Sequence, residues 1–98
     1  MNEQDFGIFL ETDISDQPSL ALQALWHDGK GDWEKAHELA QAANSKEGDW
    51  VHGFLHRKEG DEFNASYWYD KAGKTKHKGT LVEEWQAIVQ ELHKPFGT

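Results

Sequence analysis

One pattern, written twice at a fixed distance, constrains this chain more than any other feature. His27, Gly31, Asp32, Ala36 and Ala43 return as His56, Gly60, Asp61, Ala65 and Ala72, each 29 residues later. At the same offset Leu22, Leu25, Trp26, Leu39 and Ala40 meet Val51, Phe54, Leu55, Trp68 and Tyr69, apolar or aromatic in both copies. A period of this size is the mark of a repeated supersecondary unit that buries its apolar face against a neighbour. Two such units therefore fill the stretch from Leu20 to Gly73.

Each unit reads as a helical hairpin. Leu22, Leu25 and Trp26, like Val51, Phe54 and Leu55, are spaced i, i+3, i+4, which puts each trio on one helical face. Ala36, Leu39, Ala40 and Ala43 are spaced i, i+3, i+4, i+7, as are Ala65, Trp68, Tyr69 and Ala72, again one stripe each. Between the stripes stand Gly31-Asp32 and Gly60-Asp61. Glycine takes the positive φ that ends a helix, and aspartate caps the next one by accepting a backbone N–H. Ala24 and Gly53 occupy equivalent small positions where two helices can approach closely.

The stretches Gly31-Asp32-Trp33-Glu34-Lys35-Ala36 and Gly60-Asp61…Ala65-x-x-x-Tyr69-x-x-Ala72 resemble the tetratricopeptide repeat. That resemblance implies helix–turn–helix units that present a face to another protein. The period here is 29 rather than the ~34 of that repeat, and His27 and His56 stand where the family carries an aromatic ring. Gly31-Asp32-Trp33-Glu34-Lys35-Ala36-His37, His56-Arg57-Lys58-Glu59-Gly60-Asp61 and Tyr67-Trp68-Tyr69 also resemble stretches of short uncharacterised bacterial proteins of about this length. That second likeness brings no activity with it.

Outside the repeats, residues 1–15 hold an apolar cluster of Phe6, Ile8, Phe9 and Leu10 between acidic flanks. It reads either as a tail folded back over the helices or as a docking segment. Residues 16–98 form the helical repeat domain. The first helix is expected from about Gln17 to Asp28, with Asp16 or Gln17 as its cap and Pro18 in its opening turn. The second follows Asp32 and fades near Asn44. Ser45-Lys46-Glu47-Gly48 reads as a turn, with Asp49 capping a third helix through Lys58, and Asp61 starts a fourth that ends near Gly73. Gly73-Lys74-Thr75 is not a phosphate-binding loop, because Trp68 stands where that motif needs glycine. Lys74, Lys76 and Lys78 read as a solvated linker offsetting the negative end of the fourth helix, or as a contact for an acidic partner. Thr80 and Glu83 make a capping box, followed by Leu81, Trp85, Ile88 and Leu92 on one face and closed by Pro95. This fifth helix is the expected cap of the array. Each of the five carries one tryptophan, and any that is buried needs an acceptor for its indole N–H.

Composition removes several function classes. A net charge of −8 over 98 residues argues against nonspecific nucleic-acid binding and against anionic membranes. The chain has no cysteine, hence no disulfide framework, thiolate nucleophile or thiolate metal ligand. No apolar run approaches the ~20 residues of a membrane span, and the first ten residues lack the positive charge of a signal peptide. A cytoplasmic protein is the expectation.

His52 and His56, four apart on a helix, can meet one metal ion from adjacent turns, but Gly53 stands where a zincin motif needs glutamate. No spacing marks a third ligand, although His27 recurs with His56. The recurrence of His27 and His56 at the repeat offset points to packing rather than to a shared site, with each imidazole filling a gap beside Ala24 or Gly53. No serine has a histidine and aspartate in a nucleophile motif. The reading is an all-α chain of about five helices: two tetratricopeptide-like hairpins and a C-terminal capping helix. No catalytic residue and no cofactor is assigned, and no enzyme is expected. The expected function is a protein-interaction module for another protein or peptide, with homo-oligomers as a further possibility. Its contact candidates are Trp50, Arg57, Lys58, Phe6 and Phe9. The alternative is a small-molecule or metal-binding protein using His27, His52 and His56.

Overall fold

The computed structural model describes residues 3–13 and 19–93. Within them the chain is all-α, with no strand among the described residues. Six helices follow in order: α1 Glu3–Glu11, α2 Leu20–Gly29, α3 Trp33–Ala43, α4 Lys46–Lys58, α5 Glu62–Ala72 and α6 Leu81–Leu92.

The repeat is visible in backbone geometry. After α2, the Asp32 N–H donates to His27 O at 2.9 Å and the Gly31 N–H to Asp28 O at 2.9 Å. After α4, Asp61 donates to His56 O at 2.9 Å and Gly60 to Arg57 O at 3.0 Å. This paired closure needs a left-handed residue after the helix, and Gly31 and Gly60 supply it at φ 90° and 89°. Asp32 then accepts from Lys35 N at 3.0 Å and Asp61 from Asn64 N at 3.1 Å, each starting the next helix. Thr80 and Glu83 form the reciprocal capping box of α6.

Helix starts differ from the sequence reading at two places. Ser19, not Asp16 or Gln17, caps α2 by accepting from Leu22 N; Asp16, Gln17 and Pro18 lie outside the described residues. Ser45 caps α4, so Lys46, Glu47 and Gly48 are helical rather than a turn before Asp49. Gly48 is there for space: a Cβ would lie 2.7 Å from Ala43 Cβ and 2.8 Å from Ala40 O, so its absence lets α3 and α4 meet closely. Gly53 plays the same part against α5, where a Cβ would lie 2.9 Å from Tyr69 Cδ1. The fifth expected helix, α6, ends at Leu92, and Pro95 is outside the described residues.

The central helix is α4, which packs against α2, α3, α5 and α6. Leu22, Leu25, Val51, Phe54, Leu55, Ile88 and Val89 form the sealed core. The N-terminal stretch adds a sixth helix to the expected five: α1 puts Phe6 and Phe9 into that core, edge-on to Trp85 at 5.8 and 6.0 Å, and leaves Ile8 outside. Trp85 donates its indole N–H to Leu25 O at 2.9 Å, and Trp33 donates to Leu55 O at 3.0 Å. Trp26 Nε1 is buried without a hydrogen-bond partner among the described residues.

Two ionic ties fix the neighbours of α4. Lys58 reaches the buried carboxylate of Asp28 on α2 at 2.9 Å. Arg57 reaches the buried carboxylate of Glu84 on α6 at 2.7 Å and donates to Gly79 O at 2.7 Å.

Candidate functional site

The i, i+4 spacing on α4 sets His52 and His56 one turn apart, with ring centroids 4.8 Å apart and the planes nearly parallel. The third imidazole comes from α3. Asn44, with positive φ, and Ser45 turn the chain back between α3 and α4. His37 lies eight residues before Ser45 and His52 eight after Asn44, so an antiparallel hairpin sets them face to face. Their Nε2 atoms are 2.9 Å apart, one donating to the other. One ring nitrogen from each of His37, His52 and His56 lies within 4.8 Å of the other two.

Aromatic rings wall the group. Trp33 stacks on His37 at 5.0 Å and Trp68 on His52 at 4.0 Å. His56 donates its Nδ1–H to Glu59 at 2.6 Å. His52 is 2 % exposed. Its pKa is pushed down to about 4, first by burial and then by His37 and His56. Burial, followed by His56, lowers His37 as well. The centre of the group is therefore neutral at pH 7 and has a lone pair to offer.

This predicts acid sensitivity. The ordinary pKa of 6.5 is that of the unfolded chain, and the folded value for His52 is about 4. The stabilisation is complete above pH 6.5 and is lost as pH falls from there toward 4, by about 3 kcal/mol in all. Thermal melts at pH 7.5, 6, 5 and 4 should show the loss, and His52→Gln should flatten it. An equally steep profile in that variant would remove His52 as the cause.

Of the metal candidates read from sequence, His52 and His56 come together and His27 does not join them. His27 lies edge-on to Trp26, 5.1 Å away. The residue in its place is His37, as far before the α3–α4 turn as His52 is after it, a relation that shows only once the turn is fixed at Asn44–Ser45.

The contact candidates are placed differently. Phe6 and Phe9 are core residues. Arg57, its side chain 15 % exposed, is held by Glu84, whereas Lys58 is paired with Asp28 while its own side chain stays 40 % exposed. Trp50 is half-buried under Lys74, whose Nζ lies 4.3 Å from its ring centroid. Lys76 is paired with Glu62, so two of the three linker lysines are engaged within the chain.

A face that the sequence reading passed over lies on the outer side of α5. Phe63 is 86 % exposed and Tyr67 53 % exposed, and their i, i+4 spacing makes one ridge. Tyr67 meets Trp68 edge-on at 5.0 Å, and Lys71 lies over both rings. At the repeat offset of 29 the first copy has Glu34 and Glu38, both exposed. Repeat packing thus tolerates carboxylates where the second copy has rings.

Set against models of known protein families, curated proteins and solved structures, the chain matches none of them.

Proposed function

We propose that this chain is a small helical-repeat interaction module that recognises another protein through the outer face of α5. The observation that carries the reading is the exchange of Glu34 and Glu38 for Phe63 and Tyr67 at equivalent exposed positions. Exposed rings at adjacent turns cost solubility and contribute nothing to the core, so a partner is the physical reason to keep them. Aromatic side chains are the usual anchors of a protein interface. The likeness of the hairpins to tetratricopeptide units agrees with this role. The net charge of −8 favours a basic, amphipathic segment as the occupant.

The test is a photo-crosslinking phenylalanine analogue placed at position 63, with the same analogue at position 34 as control. A protein adduct at 63 that is absent at 34, and that weakens with added salt, supports the reading. Adducts joining two copies of this chain would make the ridge a self-association surface instead. Equal labelling at both positions, or none, would end the proposal.

A further inference from the structure

We propose that His37, His52 and His56 form a binding site for one divalent transition-metal ion of the zinc type, joining α3 to α4. This site stands independently of the face on α5.

The donor set comes first. Three imidazoles converge from two helices, each with one ring nitrogen within 4.8 Å of the other two, and the Nε2 atoms of His37 and His52 are 2.9 Å apart. Metal–nitrogen bonds of about 2.0–2.1 Å at a tetrahedral angle require donors about 3.3 Å apart, which falls between those distances. The His52 and His56 rings stack nearly parallel, so one of them must turn for both in-plane lone pairs to meet one ion. Neutral imidazoles suit Zn²⁺, Cu²⁺ and Ni²⁺ and select against Ca²⁺ and Mg²⁺, which take oxygen ligands.

The second support is the partner of His56. A carboxylate can only accept, so the Glu59 contact holds the proton on Nδ1 and leaves Nε2 as the donor atom. This is the carboxylate–histidine arrangement that orients imidazole ligands in metal sites. The stacks of Trp33 on His37 and Trp68 on His52 hold the other two rings.

Third, repeat packing does not require this cluster. Twenty-nine residues away, His37 is matched by Ser66, His52 by Gln23 and Glu59 by Lys30. Only His56 has a counterpart, His27, which packs on Trp26. The histidines and their carboxylate are gathered at one seam of the two-hairpin unit, where α3 meets α4. Three protein ligands also leave a coordination position open. His52 lines a cleft of about 370 Å³ with Gln41, Asn44, Asp49 and Trp68, from which water or a small polar ligand could complete the sphere.

The experiment is calorimetric titration of the full chain, without a polyhistidine tag, with Zn²⁺, and Co²⁺ titration followed by visible absorption. One ion per chain is expected, with the intense d–d bands of four- or five-coordinate cobalt. His37→Gln should abolish tight binding, whereas His27→Gln should leave it unchanged. Glu59→Gln, at an exposed position, should keep the fold and weaken affinity about 10–100-fold. Circular dichroism in chelator establishes which variants fold. If His37→Gln does not fold, the exposed-site variant Glu59→Gln and the His27→Gln control decide. Wild type that binds no Zn²⁺ overturns the proposal. So does binding that is indifferent to His37→Gln, or to Glu59→Gln where His37→Gln is unfolded, which would be pairwise chelation by His52 and His56 alone.

Discussion

Glu84→Ala should remove about 3–5 kcal/mol of stability, the cost of leaving a buried charge without its partner. Glu84 is 1 % exposed and holds two groups at once. Arg57 Nη1 donates to one oxygen at 2.7 Å, and the Tyr69 hydroxyl donates to the other at 2.6 Å. Through it α6 is tied to α4 and α5 together. The hydrogen bond to Glu84 raises the Arg57 pKa. Burial, reinforced by Glu84, raises that of Tyr69, so its hydroxyl remains a donor. Alanine leaves the buried Tyr69 hydroxyl without an acceptor and Arg57 with Gly79 O alone. Against a total of about 5–15 kcal/mol for a domain, urea denaturation should show a midpoint far below that of wild type. The joint change Arg57→Met, Tyr69→Phe and Glu84→Leu should recover most of the loss, because apolar replacement of a whole buried network is often neutral. The exposed pair Lys35–Glu38, 3.8 Å apart, supplies the contrast: Glu38→Ala should cost under ~1 kcal/mol. Equal losses at the two sites would mean that burial is not what makes the Glu84 network matter.

Ending the chain at Gly79 should have the larger effect. The cut removes Trp85, Ile88 and Val89, all buried. At roughly 1.5–3 kcal/mol per large buried side chain, their loss alone rivals the whole stability of the domain. It also takes away the edge-on partner of Phe6 and Phe9, the donor to Leu25 O, and the carboxylate that neutralises Arg57. The shortened chain should aggregate or lose its helical spectrum at 25 °C. Size-exclusion chromatography with circular dichroism would check this. A monomer as heat-stable as the full chain would reduce α6 to an appendage.

Local signals and distant ones divided cleanly in this protein. Gly31-Asp32, Gly60-Asp61 and Thr80 with Glu83 act within a few residues, through backbone φ and caps, so the helix boundaries they set were legible in the chain itself. Where a local signal pointed two ways, packing chose. Gly48 looks like a turn residue, yet it is helical because α3 needs the space its missing side chain leaves. In the N-terminal stretch, Phe6 and Phe9 are fixed by Trp85, far along the chain, and a nine-residue helix of that composition has little propensity to announce it.

The same division holds for the sites. The spacing of His52 and His56 on one helix face is a property of sequence. That His37 completes the group, and that His27 stands apart despite its place in the repeat, depends on the turn at Asn44–Ser45 and the close packing of α3 on α4. Arg57 and Lys58 look like solvent-facing cations in a linear reading. Only the fold brings Glu84 and Asp28 to them, because a long-range ion pair depends on how helices cross, and no local pattern encodes that crossing. The repeat period by itself determined two similar hairpins; which of their side chains meet was decided by tertiary packing, since contacts between helices are set by the shapes of the faces that meet.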